Sequence, residues 1–224
     1  MVAATMNDSA VPEGAPSAGR GVGLLAIATG IAAIALLAFH PGGGAADFAG
    51  VLKDEAANRG ADALVHGGFI VVLALQTVCY AVFSARLGWQ RMATVAGFVF
   101  FCAGAIFLAG SMVLDGLVTP AVAARYLAAP AKIEYARALF VLIGSLIGVL
   151  MPLGIAFQGA AIAAWGAALA ASGRRMTGAF GMLLGAAMIA GIVAGSASPM
   201  ALMGGIVGIA AWAIACGVIL IRRT

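Results

Sequence analysis

Charged residues are scarce in this sequence. They make up 9% of 224 positions, against about 25% in a typical soluble domain, while hydrophobic residues make up 64%. A water-soluble fold of this length has too little interior to hide so much apolar surface, so hydrocarbon is the solvent that fits. Nor does any Asp, Glu, Lys or Arg fall near the middle of an apolar run. Ion-coupled transporters and proton pumps hold ionisable groups at depth, where their cost implies a function. The pattern argues against both, while leaving open a passive path or an apolar lipid or quinone groove. The net charge of +4 is not a nucleic-acid signal, because the basic residues sit between apolar runs rather than along one face.

Cysteine chemistry is missing too. Cys79, Cys102 and Cys216 all lie within apolar runs, with no C-x-x-C pair and no C-x-x-C-H for haem attachment. They read as buried small residues. There is no H-E-x-x-H helix, no glycine-rich phosphate loop after a strand, and no Ser–His–Asp set.

What is present is a series of apolar runs, each near the ~20 residues that a spanning helix needs. They cover 21–39, 63–85, 92–114, a long stretch from about 136 to 173, 177–195 and 201–221. The expected fold class is therefore all-α, a polytopic bundle of six spans. The long run is read as one tilted helix bent near Pro152, because two crossings would each be too short. Residues 1–20 are polar and rich in Ala, Pro, Gly and Ser, and read as a disordered cytoplasmic tail before a six-helix domain over 21–224. The first run lacks a small-x-small cleavage site before His40 and reads as an uncleaved span.

Basic residues set the orientation. Arg20, Arg86, Arg91, Arg174, Arg175, Arg222 and Arg223 crowd the helix ends on one side, whereas Lys53, Arg59, Arg125, Lys132 and Arg137 on the other are diluted by acids. Both termini are expected in the cytoplasm, with Trp89, Trp165 and Trp212 in the interfacial belt on that side. The two larger loops then face outward. Phe48, Val51 and Leu52 predict a short surface helix near 47–58, ended by Gly60, and Thr119-Pro120 predicts an N-capped one near 120–129. Arg91-Met92 with Gly97 matches Arg175-Met176 with Gly181 at the same offset, although such residues recur at helix starts without duplication.

Glycines four apart put flat strips on helix faces: Gly144 and Gly148, Gly181 and Gly185, Gly191 and Gly195, Gly204 and Gly208. In lipid, helices associate through such close approach. These strips serve the bundle itself or offer docking faces to other membrane subunits.

The only histidines are His40, ending the first run, and His66, just inside the second. Consecutive antiparallel helices usually pack together, so the imidazoles can meet at the outer side, with Asp115 and Met112 ending the third run nearby. Imidazole with carboxylate suits zinc or copper(II), imidazole with thioether suits copper(I), and two facing imidazoles can hold a haem iron. The plain alternative is that His40 caps a helix end and His66 sits half-solvated at the interface.

Two stretches carry a family resemblance. One is His40-Pro41, the acidic loop and Ala63-Leu64-Val65-His66; the other runs from Trp165-Gly166 through Ser172-Gly173-Arg174, Gly178 and Gly181 to Ala211-Trp212 and Arg222-Arg223. Together they resemble a family of uncharacterised bacterial small integral membrane proteins. The resemblance implies six helices in a bacterial cytoplasmic membrane and a pairing of His40 with His66, and brings no activity with it. The leading expectation is a non-enzymatic accessory or structural subunit in the lipid bilayer, packed against other membrane subunits. The alternatives are a haem- or copper-binding redox protein using His40 and His66, and a passive transporter or a lipid- or quinone-binding protein.

Overall fold

The computed structural model describes residues 16–40, 45–195 and 198–222, and among them helix follows helix with no strand. In lipid each backbone N–H and C=O must be satisfied within its own segment, and the helix does this. In order come α1 (Pro16–Ala38), α2 (Phe48–Leu87) and α3 (Met92–Val113). A π-helical turn (Leu114–Val118) links α3 to α4 (Thr119–Leu127). A 3-10 turn (Pro130–Lys132) leads into α5 (Ile133–Ala171), followed by α6 (Arg175–Gly195) and α7 (Pro199–Arg222). Six of these stretches are long and apolar enough to cross a membrane. The chain is an integral membrane protein.

The spans form a closed ring in which α1 lies between α7 and α2, α3 between α2 and α5, and α6 between α5 and α7. Glycines at the crossings bring backbones together. A Cβ on Gly23 would come within 2.7 Å of the Gly217 carbonyl oxygen, one on Gly104 within 2.9 Å of that of Gly154, and one on Gly166 within 2.8 Å of that of Gly178. Of the strips predicted above, Gly181 lies against Trp212, Gly185 against the Gly159 carbonyl and Gly208 against Met188. The strip at Gly144 and Gly148 does not pack in the bundle, for that turn of α5 faces away from the other helices and a Cβ at either would meet nothing within 4 Å. The same is true of Gly191 and Gly204, and Gly195 has only ordinary contact with Ser198.

Two of the three tryptophans are not belt residues. Trp89 is 42% exposed, but Trp165 and Trp212 are both at 0%, inside an aromatic core with Tyr80, Phe83 and Phe101. Gly97 and Gly181 supply the room, since a Cβ there would meet the indoles of Trp165 and Trp212 respectively. The recurrence seen at Arg91–Gly97 and Arg175–Gly181 thus places each glycine under an indole. Trp165 Nε1 donates to Ser84 Oγ at 3.0 Å, and Gln158 Nε2 donates to the Phe101 carbonyl at 3.1 Å.

Helix lengths divide the molecule. α1, α6 and α7 have 23, 21 and 24 residues, enough for a hydrocarbon core of ~30 Å. α2 and α5 have 40 and 39 residues and reach roughly 60 Å at 1.5 Å per residue. Their surplus, with α4, projects on the side where α1 ends. The predicted surface helix near 47–58 is not a separate element. Asp47 caps α2 by accepting the Gly50 N–H at 2.7 Å, and the helix runs on through Gly60 into the span. Its apolar face turns to protein rather than lipid: Leu52, Ala123 and Ala136 are buried together, with Phe48, Tyr126 and Phe140 around them. That packing outweighs the ~1 kcal/mol that a mid-helix glycine costs.

The predicted helix near 120–129 is α4, but it continues α3 and has no Thr119 N-cap. Pro120 has no N–H and would clash with the carbonyl four residues back, so the helix widens by one residue just before it. The Thr119 N–H and hydroxyl both donate to the Leu114 carbonyl, the latter at 2.9 Å. α1 begins at Pro16, so residues 16–20 of the predicted tail are helical. The remainder of that tail, the Pro41–Gly44 turn, Ser196 and Arg223 lie outside the described residues.

Candidate functional site

The residues just after α1, the middle of α2 and the π turn after α3 meet where the projecting helices leave the bundle. His40 Nε2 stands 3.3 Å from His66 Nε2, with ring centroids 5.0 Å apart and the rings nearly perpendicular. Asp115 Oδ2 approaches the same His66 nitrogen at 3.1 Å. The ligand atoms of all three residues lie within 4.8 Å of one another.

The tautomer of His66 follows from its other nitrogen. Nδ1 lies 2.9 Å from the Asp62 backbone carbonyl, an oxygen that can only accept, so Nδ1 carries the proton. In the neutral ring Nε2 then offers a lone pair. A backbone carbonyl holding Nδ1–H is the usual outer partner of a metal-binding histidine, because it fixes the ring and raises its basicity.

His66 Nε2 has two neighbours: His40 Nε2, which as its Nε2–H tautomer donates to it, and the Asp115 carboxylate, which only accepts. A proton on His66 Nε2 would make an ion pair with Asp115, but it bridges only one neighbour at a time. A metal ion serves all three. In a tetrahedral site the edge between ligands is about 1.63 times the bond, or roughly 3.3 Å for metal–nitrogen bonds of 2.0–2.1 Å. The two separations at His66 Nε2, 3.1 and 3.3 Å, match that edge, and the third pair, His40 with Asp115, lies within 4.8 Å.

The local backbone is shaped for this. Asp115 and Gly116 lie in the π turn, and π turns within α-helices gather at functional sites. Gly116 is a required absence of side chain: a Cβ there would overlap Cβ, Cγ and Nδ1 of His66. Exposure grades across the group, from the His66 side chain at 3% to that of Asp115 at 35%, with His40 exposed. The inner wall is closed and the outer side is open. Glu55 lies on the same face of α2, outside the span. Its carboxyl is pushed above the usual range first by burial, then by the charges of Asp62 and Asp115.

Comparison with family models, curated proteins and solved structures found no match.

The predicted residues separate accordingly. His40, His66 and Asp115 converge, whereas Met112 does not. It points one turn deeper, into an apolar cluster with Ala33, Val65, Phe69 and Val72. It also lines a cavity of about 30 Å³ beside Gln76, whose amide has no hydrogen-bond partner among the described residues. Gly116 and the Asp62 carbonyl were missed from sequence. The signal available was Asp115-Gly116 four residues before Thr119-Pro120, a sequence that resets a helix.

Haem fits poorly. Two axial imidazoles on opposite faces of a porphyrin place their nitrogens about 4 Å apart, with the ring between them. Here the nitrogens stand at 3.3 Å with a carboxylate beside them.

Proposed function

We propose that this protein binds one divalent transition-metal ion, of the zinc or copper(II) class, between His40, His66 and Asp115, and functions as a metal-binding integral membrane protein. The observation that carries this is the meeting of three ligand atoms within 4.8 Å of one another, two of the separations being 3.1 and 3.3 Å, with the buried histidine oriented by a backbone carbonyl. Three protein ligands and an exposed outer side leave the fourth position to water. That is the arrangement of reactive rather than purely structural zinc, in which the ion polarises a bound molecule or acidifies a bound water. The spans hold no chain of ionisable residues, so the ion is read as staying at the surface rather than being carried through. The basic residues crowded at the opposite end support a cytoplasmic location for both termini, with the metal on the outer side of a bacterial cytoplasmic membrane.

The test is metal analysis of detergent-purified protein after dialysis. One zinc or copper per chain is expected, falling to background in H66A and in D115N. Metal-free protein that takes up neither ion when supplied would overturn the proposal.

A second reading, an accessory subunit docked on other membrane proteins, is favoured by α5. Its first half exposes Tyr135, Val141, Leu142, Leu146 and Val149 around the open strip of Gly144 and Gly148. Native mass spectrometry after mild extraction tests it. A partner lost on G148L supports docking, and a monomer with only lipid attached contradicts it.

A further inference from the structure

The arginine end of the bundle holds a second feature that the metal site does not use. α6 is drawn against α5 by Gly159, Gly166, Gly178 and Gly185, but packs only sparingly on α7. The two helices therefore part at this end around a cleft of about 670 Å³, within the ~300–1,000 Å³ of ordinary ligand pockets. Arg174, Arg175 and Arg222 line it together with Thr177 and an apolar wall of Ala215, Val218 and Ile219 on one face of α7.

Arginines at this end fall into two groups. Arg86 donates to the Leu220 carbonyl at 3.1 Å, and Arg91 bonds to Ser172 Oγ and the Ala168 carbonyl, so both fasten helix ends. The other three line the cleft. Among the described residues their guanidinium groups pair with no carboxylate, because every acidic side chain, from Asp47 to Glu134, stands at the other end. Three like charges beside one another in a cleft with one greasy side call for an anion attached to an apolar chain. Guanidinium matches phosphate in geometry, and basic clefts between spanning helices are where anionic headgroups bind.

We propose that this cleft binds an anionic glycerophospholipid, with its phosphate between Arg174, Arg175 and Arg222 and an acyl chain along Ala215, Val218 and Ile219.

The experiment uses the full chain, stripped of lipid by detergent exchange. Dioleoyl phosphatidylglycerol, dioleoyl phosphatidylcholine and inorganic phosphate are supplied separately, with retention read by native mass spectrometry and Tm by unfolding. Phosphatidylglycerol should be retained at least about ten-fold better than phosphatidylcholine and should raise Tm. The variant R174Q/R175Q/R222Q should lose that preference, and K53Q/R59Q/R125Q, with equal charge removed at the other end, should keep it. A215W should also lose it, by filling the cleft with the arginines intact. Equal retention of the two lipids, or phosphatidylglycerol kept by the first triple variant, would overturn the proposal. So would loss in both triple variants, which marks general charge attraction. An equal Tm shift from inorganic phosphate would mark a free-anion site and also contradict a lipid.

Discussion

His66 joins the site to the fold through its two ring nitrogens. One is committed to the Asp62 carbonyl, and the other faces His40 and Asp115. Acid should therefore release the metal, since both imidazoles must be unprotonated to bind it. Affinity measured by zinc titration should fall as the pH is lowered, and an affinity independent of pH would contradict histidine ligation. Gly116 offers a finer probe. In G116A the new methyl meets the His66 ring, so metal affinity should drop roughly 10–100-fold, as for loss of an outer partner, while circular dichroism shows the helices intact. The triad was legible in sequence because residues at the ends of adjoining apolar runs share a depth, although in the structure the helices of His66 and Asp115 continue past them. Met112 misled for want of one detail: its rotation about α3, which depends on where the helix widens before Pro120. The His66–Gly116 contact depends on that same register.

At the scale of the element, apolar runs locate spans well and helix ends poorly. The stretch near 47–58 looked separate because charge and Gly60 interrupt the hydropathy. Its continuity with α2 depends on Phe48 and Leu52 meeting Tyr126, Phe140, Ala123 and Ala136, which are distant in sequence. Glycine strips show the same limit. Four-residue spacing is a property of one helix, whereas a crossing pairs single glycines on two, as Gly23 with Gly217 or Gly104 with Gly154. Two substitutions separate these cases. G185A drives a methyl into the Gly159 carbonyl, a backbone atom with no room to yield, and should cost about 1–3 kcal/mol in detergent unfolding. G148A meets open space and should be neutral, or stabilising by up to about 1 kcal/mol from helix propensity. The reverse order would mean that the α5–α6 crossing is misplaced.

At the scale of the whole molecule, two ends of opposite character are joined by a buried aromatic core. Among the described residues, one end carries the acids, the projecting helices and both histidines; the other carries the start of α1, the end of α7 and the arginine-lined cleft. Six crossings require the two termini to share a face, so reporter tags at residue 1 and residue 224 should be accessible from the same side of inverted vesicles. Tags on opposite sides would remove one span and, with it, the shared depth of His40 and His66. On the proposed function, the two imidazoles and Asp115 hold a metal ion with one position left open. Cobalt(II), which reports geometry through its visible absorption, tests it most directly. Added to the apo protein at one equivalent, it should give the intense bands of a four-coordinate site, weakened in H66A and in D115N and displaced by zinc. A spectrum identical to cobalt in buffer, or one unchanged when both residues are replaced, would contradict the account.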